Sequence, residues 1–136
     1  MAYQDDIKKA AALLLPWNKL SGCNILVTGA TGLIGGCLVD VLMAHKGRNY
    51  NVYASGRNEE RAGRRFLKYA DDNAFHFVKY DVAQPLEYDV NFQYIIHAAS
   101  GAYPEEFIKH PVEVIKGNIN GLDNLMRSEE RRVGKE

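Results

Sequence analysis

Residues 28–35 of the chain read Thr28-Gly29-Ala30-Thr31-Gly32-Leu33-Ile34-Gly35. Three glycines recur at intervals of three residues, between the apolar segment 24–28 and a second apolar segment that begins at Leu33. Glycine is needed where a turn takes a positive φ, where backbone approaches a pyrophosphate and where a helix packs closely on a strand. Unpaired N–H groups at the start of a helix attract anions, so the pattern predicts a phosphate-binding loop between a strand and a helix. A tight structural turn without a ligand is the alternative interpretation.

The sequence on either side of this loop predicts alternating strands and helices. Strands are predicted over 24–28, 51–55, 74–80 and 92–98, and helices over 5–15, 33–45, 59–69 and 111–126. The expected apolar faces are Ile34, Leu38, Val41 and Leu42 on the second helix, and Val114, Ile115, Ile119, Leu122 and Leu125 on the last. This order predicts an α/β fold with a Rossmann-type, doubly wound parallel sheet. Such sheets bind ligands beyond the carboxyl ends of their strands, here in the loops after Thr28, Ser55, Tyr80 and Ala98.

The composition excludes several classes of protein. The 136 residues are 46% apolar and carry 17 basic and 17 acidic side chains, which suits one globular domain and argues against a nucleic-acid partner. No apolar segment approaches the roughly 20 residues that cross a bilayer, so no membrane association is expected. Cys23 and Cys37 are too few for a disulfide framework and lack zinc-site spacing, and the four histidines form no cluster. We therefore expect a cytoplasmic protein without a metal site.

Four motifs, in this order, resemble the extended branch of the short-chain dehydrogenase/reductase superfamily. They are the loop 28–35, the segment Tyr80-Asp81-Val82, the segment Tyr94-Ile95-Ile96-His97-Ala98-Ala99, and the helix segment Asn118-Ile119-Asn120-Gly121-Leu122-Asp123-Asn124-Leu125. Within that branch the sequence is similar to the NAD-dependent epimerase/dehydratase family, whose members act on nucleotide sugars. The resemblance spans roughly Leu20 to Met126.

The resemblance implies a set of residues that bind a nicotinamide cofactor. They are Gly29, Thr31, Gly32, Leu33, Ile34 and Gly35 for the pyrophosphate, Asp81 and Val82 for the adenine, Ala98, Ala99 and Ser100 for the nicotinamide ribose, and Asn118 behind the site. Each has a plainer alternative: Asp81 caps a turn, and Asn118 is an exposed helix residue. We expect His97 to be a packing histidine instead of a catalytic one.

The choice between NAD and NADP depends on the end of the second strand. A carboxylate there usually accepts the ribose hydroxyls of NAD, whereas an arginine accommodates the extra phosphate of NADP. The chain has Arg57 at this point and no acid before Glu59, which favours NADP with Arg57 as the ligand. Members of the family generally use NAD, and Arg57 is alternatively the solvated start of a basic helix. The choice between NAD and NADP therefore stays open.

The segment after the fourth strand resembles UDP-glucuronate decarboxylases. The match holds at His97, Ala98, Ala99, Ser100, Ala102, Pro104 and Pro111, and the sequence departs at Gly101, Tyr103 and Phe107. The departures favour the broader class, an epimerase, dehydratase or decarboxylase of UDP- or dTDP-sugars. Such enzymes oxidise the sugar transiently at C4, with a tyrosine as base whose pKa is lowered by a lysine four residues on.

No tyrosine of this chain has a lysine four residues after it. We therefore expect the cofactor-binding portion of an enzyme, with its sheet truncated after about four strands, no catalytic residues of its own and no activity alone. The expected organisation is an N-terminal helix at 1–20, a partial NAD(P)-binding domain at 21–126 and a charged tail at 127–136. The tail is either a solvated helix end or a segment foreign to the natural gene. The full-length protein is expected to be a homodimer. The alternatives are an NAD(P)H-dependent carbonyl reductase of the same superfamily and a non-catalytic NAD(P)-binding module.

Overall fold

The computed structural model describes residues 2–99 and 108–135. Side chains are described as far as Ser128. The α-helices are α1 (Ala2–Ala11), α2 (Leu33–Ala44), α3 (Glu59–Arg65) and α4 (Pro111–Lys135), and short 3₁₀ helices cover Trp17–Leu20 and Leu67–Tyr69. The strands are β1 (Asn24–Thr28), β2 (Asn51–Gly56), β3 (Phe75–Lys79) and β4 (Tyr94–His97). Within these described ranges, no helix combines the length and apolar character that a membrane crossing requires.

The four strands form one parallel sheet in the order β3-β2-β1-β4. Val27 of β1 lies between Ala54 of β2 and Ile96 of β4, and Gly56 of β2 pairs with Lys79 of β3. The chain moves outward from β1 through β2 to β3 and then returns to the other side of β1 as β4. This reversal brings the carboxyl ends of β1 and β4 together, which is where sheets of this kind bind ligands.

Helices cover both faces of the sheet, as the doubly wound prediction requires. One buried cluster joins Ile25, Val27 and Val52 to α2 and α3. The cluster on the opposite face joins Leu26 and Tyr53 to Leu125 of α4. The sequence prediction of an α/β fold with a parallel sheet is confirmed.

The predicted apolar faces of the helices are partly wrong. Of the predicted face of α2, Leu42 is buried and Leu38 and Val41 are half-buried, but Ile34 is 70% exposed. The buried face consists of Gly35, Gly36, Val39, Asp40, Leu42 and Met43. The glycines place the helix backbone close to the loop, which turns the neighbouring Leu33 and Ile34 toward solvent. On α4, Val114 and Leu125 are buried, whereas Ile115, Ile119 and Leu122 are exposed. Helix α4 also continues to Lys135, so the charged segment extends the helix beyond the predicted end at Met126.

A buried carboxylate connects α1, α2 and α3. Asp40 of α2 is 1% exposed and accepts hydrogen bonds from the Tyr3 hydroxyl at 2.5 Å, the Arg65 guanidinium at 2.6 Å and the Tyr69 hydroxyl at 2.7 Å. Lys68 Nζ lies 3.5 Å from the same carboxylate. Burial acts to raise the pKa of Asp40, but the hydrogen bonds from Arg65, Tyr3 and Tyr69 outweigh it and hold the pKa below its ordinary value.

We predict that Asp40→Asn lowers the free energy of unfolding by about 3 kcal/mol at neutral pH, because it leaves Arg65 without its buried partner. The matched substitution Asp123→Asn removes an exposed pair with Arg127 and should cost less than about 1 kcal/mol. Since the folded pKa of Asp40 is lowered, its contribution is present above the unfolded pKa and is lost as pH falls through the folded pKa. Urea denaturation of the three proteins measures both effects. Equal losses in the two variants would contradict this account.

Candidate functional site

Gly29 and Gly35 hold the loop against the rest of the fold. Gly29 has a φ of +64°, and a Cβ atom there would lie 2.6 Å from the Ala98 carbonyl oxygen and 2.7 Å from the Ala99 Cα. A Cβ on Gly35 would lie 2.2 Å from the Gly29 carbonyl oxygen. Both positions therefore require glycine because of the protein's own backbone, independently of any ligand.

Gly32 differs from the other two glycines of the loop. It is exposed, its φ is −78°, and the only backbone atom that a Cβ would approach is the Gly29 carbonyl oxygen, at 3.3 Å. Gly32 precedes α2, and its carbonyl accepts the first helical hydrogen bond, from the Gly36 N–H at 2.9 Å. The N–H groups of the first turn of α2 have no partners within the helix and point out of its end. The surface above Gly32 thus combines open space with amide donors.

Thr28 joins the carboxyl ends of β1 and β4. Its hydroxyl oxygen is buried and accepts hydrogen bonds from the Ala98 N–H at 3.1 Å and the Ala99 N–H at 3.4 Å. The hydroxyl proton is left for His97 Nδ1, which lies 2.8 Å away. Burial lowers the pKa of His97, which favours the neutral ring, and a hydrogen bond donated by Thr28 to Nδ1 corresponds to the tautomer with its proton on Nε2. Sequence reasoning assigned no role to Thr28, although its position directly before Gly29 is the signal that would have found it.

A second part of the site lies at the carboxyl ends of β2 and β3. A cavity of about 580 Å³ is lined there by Arg57, Asp81 and the segment that follows Asp81. One oxygen of Asp81 accepts a hydrogen bond from the Ala83 N–H at 2.9 Å, which is the turn-capping contact considered as the alternative for this residue. Among the described residues, the other carboxylate oxygen has no hydrogen-bond partner.

The glycine loop and this cavity adjoin each other. The Ala30 N–H donates to the Ser55 carbonyl at 3.0 Å, and the Thr31 carbonyl accepts from Arg61 of α3 at 3.4 Å. A Cβ atom at Gly56 would lie 3.5 Å from the methyl group of Thr31, so Gly56 and Thr31 border the same space. An elongated ligand could therefore run from the start of α2 across Thr31 to the cavity at Arg57.

The remaining predicted residues are distributed unevenly. Ala98 and Ala99 lie directly against Gly29, and Val82 packs on Gly121 of α4. Asn118 lies on an exposed part of α4, and Ser100 falls outside the described residues, as does the predicted sugar-facing segment 101–107. Lys79 lines the cavity and was missed by the sequence reasoning, because its position depends on the register between β2 and β3. Among residues 2–99 and 108–128, no group of three His, Cys, Asp or Glu side chains is placed to hold a metal ion.

A family model described as "NAD dependent epimerase/dehydratase family" matches residues 25–134. UDP-glucuronic acid decarboxylase 6 of Arabidopsis thaliana is 33% identical over 109 residues, which cover 78% of this chain and 30% of that protein. UDP-glucuronic acid decarboxylase 1 of Danio rerio is 30% identical over 104 residues, which cover 75% of this chain and 23% of that protein. The chain thus spans less than a third of the length of these relatives.

Solved structures share the fold. The X-ray structure of Pen from Bacillus thuringiensis superposes with a TM-score of 0.65 and 23% identity, over 79% of this chain and 34% of that one. The UDP-Glc/GlcNAc 4-epimerase from Campylobacter jejuni gives a TM-score of 0.60 and 20% identity, over 78% of this chain and 33% of that one. At these identities the likeness supports the arrangement of strands and helices alone.

We predict that Thr28→Val destabilises the protein by about 1–3 kcal/mol, because it removes the hydroxyl partner of the Ala99 N–H and of His97 Nδ1, whereas the Ala98 N–H keeps the Thr28 backbone carbonyl at 3.2 Å. Thr28→Ser keeps the hydroxyl and loses only a methyl group, so it should cost about 1 kcal/mol or less. Chemical denaturation at pH 7 compares the two variants with the wild type. A loss in Thr28→Ser as large as that in Thr28→Val would show that the hydroxyl does not hold the two strands together.

Proposed function

Because the chain belongs to the NAD dependent epimerase/dehydratase family, we propose that residues 29–35 bind the pyrophosphate of a nicotinamide dinucleotide, NAD or NADP. The observation that supports this most directly is the difference among the three glycines. Gly29 and Gly35 are explained by backbone contacts of the protein, whereas Gly32 borders open space at the amide-rich start of α2. A pyrophosphate placed there would accept hydrogen bonds from the first N–H groups of the helix and would need Gly32 to lack a side chain.

The adenosine half of the cofactor fits the cavity at the ends of β2 and β3. In this proposal the free oxygen of Asp81 accepts a hydrogen bond from the adenine amino group. Val82 supports the adenine from the side of α4, where the Asn124 side chain donates to the Val82 carbonyl at 2.8 Å and fixes the loop. Arg57 lies at the ribose, where its guanidinium would meet a 2′-phosphate.

The nicotinamide half is assigned to the end of β4. Ala98 and Ala99 are small and already touch the Gly29 backbone, so they leave the surface above β1 and β4 free for the nicotinamide ribose. In this proposal Ser100 also contacts the nicotinamide ribose, and Asn118 lies behind the site. When bound, the nicotinamide ring accepts and returns a hydride. The residues of this chain bind and orient the dinucleotide, and Thr28 fixes the backbone on which it rests.

For the full-length protein we propose a nucleotide-sugar enzyme that uses NAD(P) for transient oxidation at sugar C4. The relatives reported above are named as decarboxylases of UDP-glucuronic acid, which supports a UDP- or dTDP-sugar as substrate. Since the chain carries no Tyr-x-x-x-Lys pair, its own contribution is cofactor binding, and residues outside it would supply the base that takes the hydroxyl proton. We also propose that the full-length protein is a cytoplasmic homodimer.

An NAD(P)H-dependent carbonyl reductase is the second candidate, and Arg57 favours it because a reductase draws on NADPH. The two functions differ in their net redox balance. A nucleotide-sugar epimerase or decarboxylase that returns its hydride consumes no NADPH, whereas a reductase oxidises one NADPH for each carbonyl group.

For the full-length protein, we predict conversion of a UDP- or dTDP-sugar without net change in absorbance at 340 nm. A panel of sugar nucleotides analysed by chromatography, with NADPH absorbance followed in parallel, tests this. NADPH consumption with simple carbonyl compounds, and none of the sugars converted, would support the reductase and overturn the first proposal.

For the 136-residue chain, we predict weak NAD(P) binding that Gly32→Val reduces at least about tenfold, because a branched side chain would occupy the position of the pyrophosphate. Gly63→Val is the matched control, since a Cβ at Gly63 on α3 meets no atom within 4 Å. Isothermal titration calorimetry measures the affinities, and circular dichroism checks that each variant is folded. Wild-type affinity in a folded Gly32→Val protein would contradict the assignment of the loop.

A further inference from the structure

Thr28 and His97 extend toward α4 from neighbouring strands. They are register partners of β1 and β4, so their side chains lie on the same face of the sheet. Leu26 and Ile95, two residues earlier on each strand, belong to the cluster that packs on α4, which identifies this face. A Cβ atom on Gly121 of α4 would lie 3.6 Å from His97 Cε1, so a glycine at this point leaves room for the ring. His97 is therefore half-buried between the sheet and α4, with its Nδ1 beside the Thr28 hydroxyl.

The groups around the Thr28 hydroxyl favour one protonation state of the ring. A hydroxyl group offers two lone pairs and one proton. The lone pairs receive the N–H groups of Ala98 and Ala99, and His97 Nδ1, 2.8 Å away, is the acceptor left for the proton. The Ala98 N–H is shared with the Thr28 carbonyl, whereas the hydroxyl is the one acceptor that the described residues provide for the Ala99 N–H. An unprotonated Nδ1 thus lets the hydroxyl satisfy all three of its neighbours.

Protonation of His97 is incompatible with this arrangement. An imidazolium donates from both of its nitrogens, so Nδ1 would no longer accept the hydroxyl proton. Thr28 is fully buried, and its hydroxyl proton would lose its partner while Nδ1–H competed with the Ala99 N–H for a lone pair. The Ala99 Cα lies only 2.7 Å from the position of a Cβ on Gly29, so a displacement of this backbone would reach the first turn of the glycine loop.

We propose that His97 is a positioning residue for the dinucleotide, whose unprotonated Nδ1 fixes the Thr28 hydroxyl and thereby the backbone of Ala98 and Ala99. Protonation of the ring releases that backbone and weakens dinucleotide binding. This inference rests on the proposed function, since it presumes that the nicotinamide ribose lies on the Ala98-Ala99 backbone. The ring acts through Thr28 and touches no reacting atom, so it is not a catalytic residue. A histidine that only fills the space beside Gly121 is the plainer interpretation, under which protonation leaves the affinity unchanged.

Burial, and not a neighbouring charge, lowers the pKa of His97 below the ordinary value of an imidazole. Strand β1 contributes no titratable side chain over Asn24–Thr28. In the loop after β3, Asp81 accepts a hydrogen bond from its own loop, and on α4 Asp123 pairs with Arg127. The other described titratable groups of β4 and α4, all exposed, are Tyr94, Glu113 and Lys116. Because the folded pKa is lowered, the ring is unprotonated at neutral pH, and the affinity is expected to fall as the pH decreases through that pKa.

The hydrogen bond and its coupling to the ligand are tested by the imidazole ¹⁵N chemical shifts of the 136-residue chain, followed by NMR against pH. At neutral pH, Nδ1 of His97 should be unprotonated and Nε2 should carry the proton. Saturation with NAD should lower the pKa of His97 by about one unit, because a tenfold preference of NAD for the unprotonated state requires that shift. NAD is the probe because, unlike NADP, it has no phosphomonoester that titrates in the same pH range.

Substitutions separate the acceptor from the packing of the ring. His97→Asn places an amide oxygen, which accepts a hydrogen bond and does not titrate, near the position of Nδ1. Calorimetry should show NAD affinity within about twofold of the wild type at neutral pH, retained at acidic pH where the wild type loses about tenfold. His97→Leu has no acceptor and should lose about tenfold at both pH values. His110→Asn, at an exposed histidine before α4, should match the wild type throughout, and circular dichroism checks the folding of each variant.

The outcomes separate this inference from the function on which it rests. A proton on Nδ1 at neutral pH, or a His97 pKa that NAD leaves unchanged, would overturn the role of His97 and leave dinucleotide binding intact. The same conclusion would follow if acid weakened NAD binding equally in the wild type and in folded His97→Asn. Absence of NAD binding by the folded wild type at every pH would overturn the proposed function and this inference together.

Discussion

The hydroxyl of Thr28 is the contact on which the edge formed by the carboxyl ends of β1 and β4 depends. It accepts hydrogen bonds from two backbone N–H groups and lies 2.8 Å from a histidine nitrogen, where β1 and β4 end side by side. The Ala98-Ala99 backbone that it holds lies against Gly29, where the chain turns with a φ of +64° and a Cβ atom would collide with that backbone. The direction of that turn places the start of α2 at the edge of the sheet, where its free amide groups face outward.

The three glycines that follow Thr28 serve different purposes, although they look alike in the sequence. Gly29 permits a left-handed turn beside β4, and Gly35 lets α2 pack on the loop. Neither of these requirements involves a ligand, so a glycine pattern alone does not establish a binding function. Gly32 is the exception because it is exposed, and a Cβ there would meet only the Gly29 carbonyl oxygen, at 3.3 Å. Gly32 therefore supports the proposed cofactor site, together with Arg57, Asp81 and the two alanines that follow β4 along the same edge.

Local sequence patterns predicted the parallel sheet and the position of the loop, because both follow from alternating apolar segments and from glycine spacing. The helix faces were harder to predict. The burial of Gly35 and Gly36 rotated α2 away from the face that hydrophobicity favours, so that Ile34 is exposed. The Asp40 network joins residues from three α-helices and a 3₁₀ helix. The cavity at Lys79 joins the ends of two paired strands. Such contacts depend on register and packing, which no local pattern contains.

One edge of the sheet thus carries an amide-rich helix start, a small-residue strand end and a basic cavity, arranged in the order that a dinucleotide would need. Amide chemical-shift mapping by NMR tests this arrangement as a whole. On addition of NADP, we predict the largest shifts at 29–35, with further shifts at Arg57, Lys79, Asp81, Ala98 and Ala99, and none on α1. Shifts confined to α1, or their absence from the glycine loop at saturating ligand, would contradict the account.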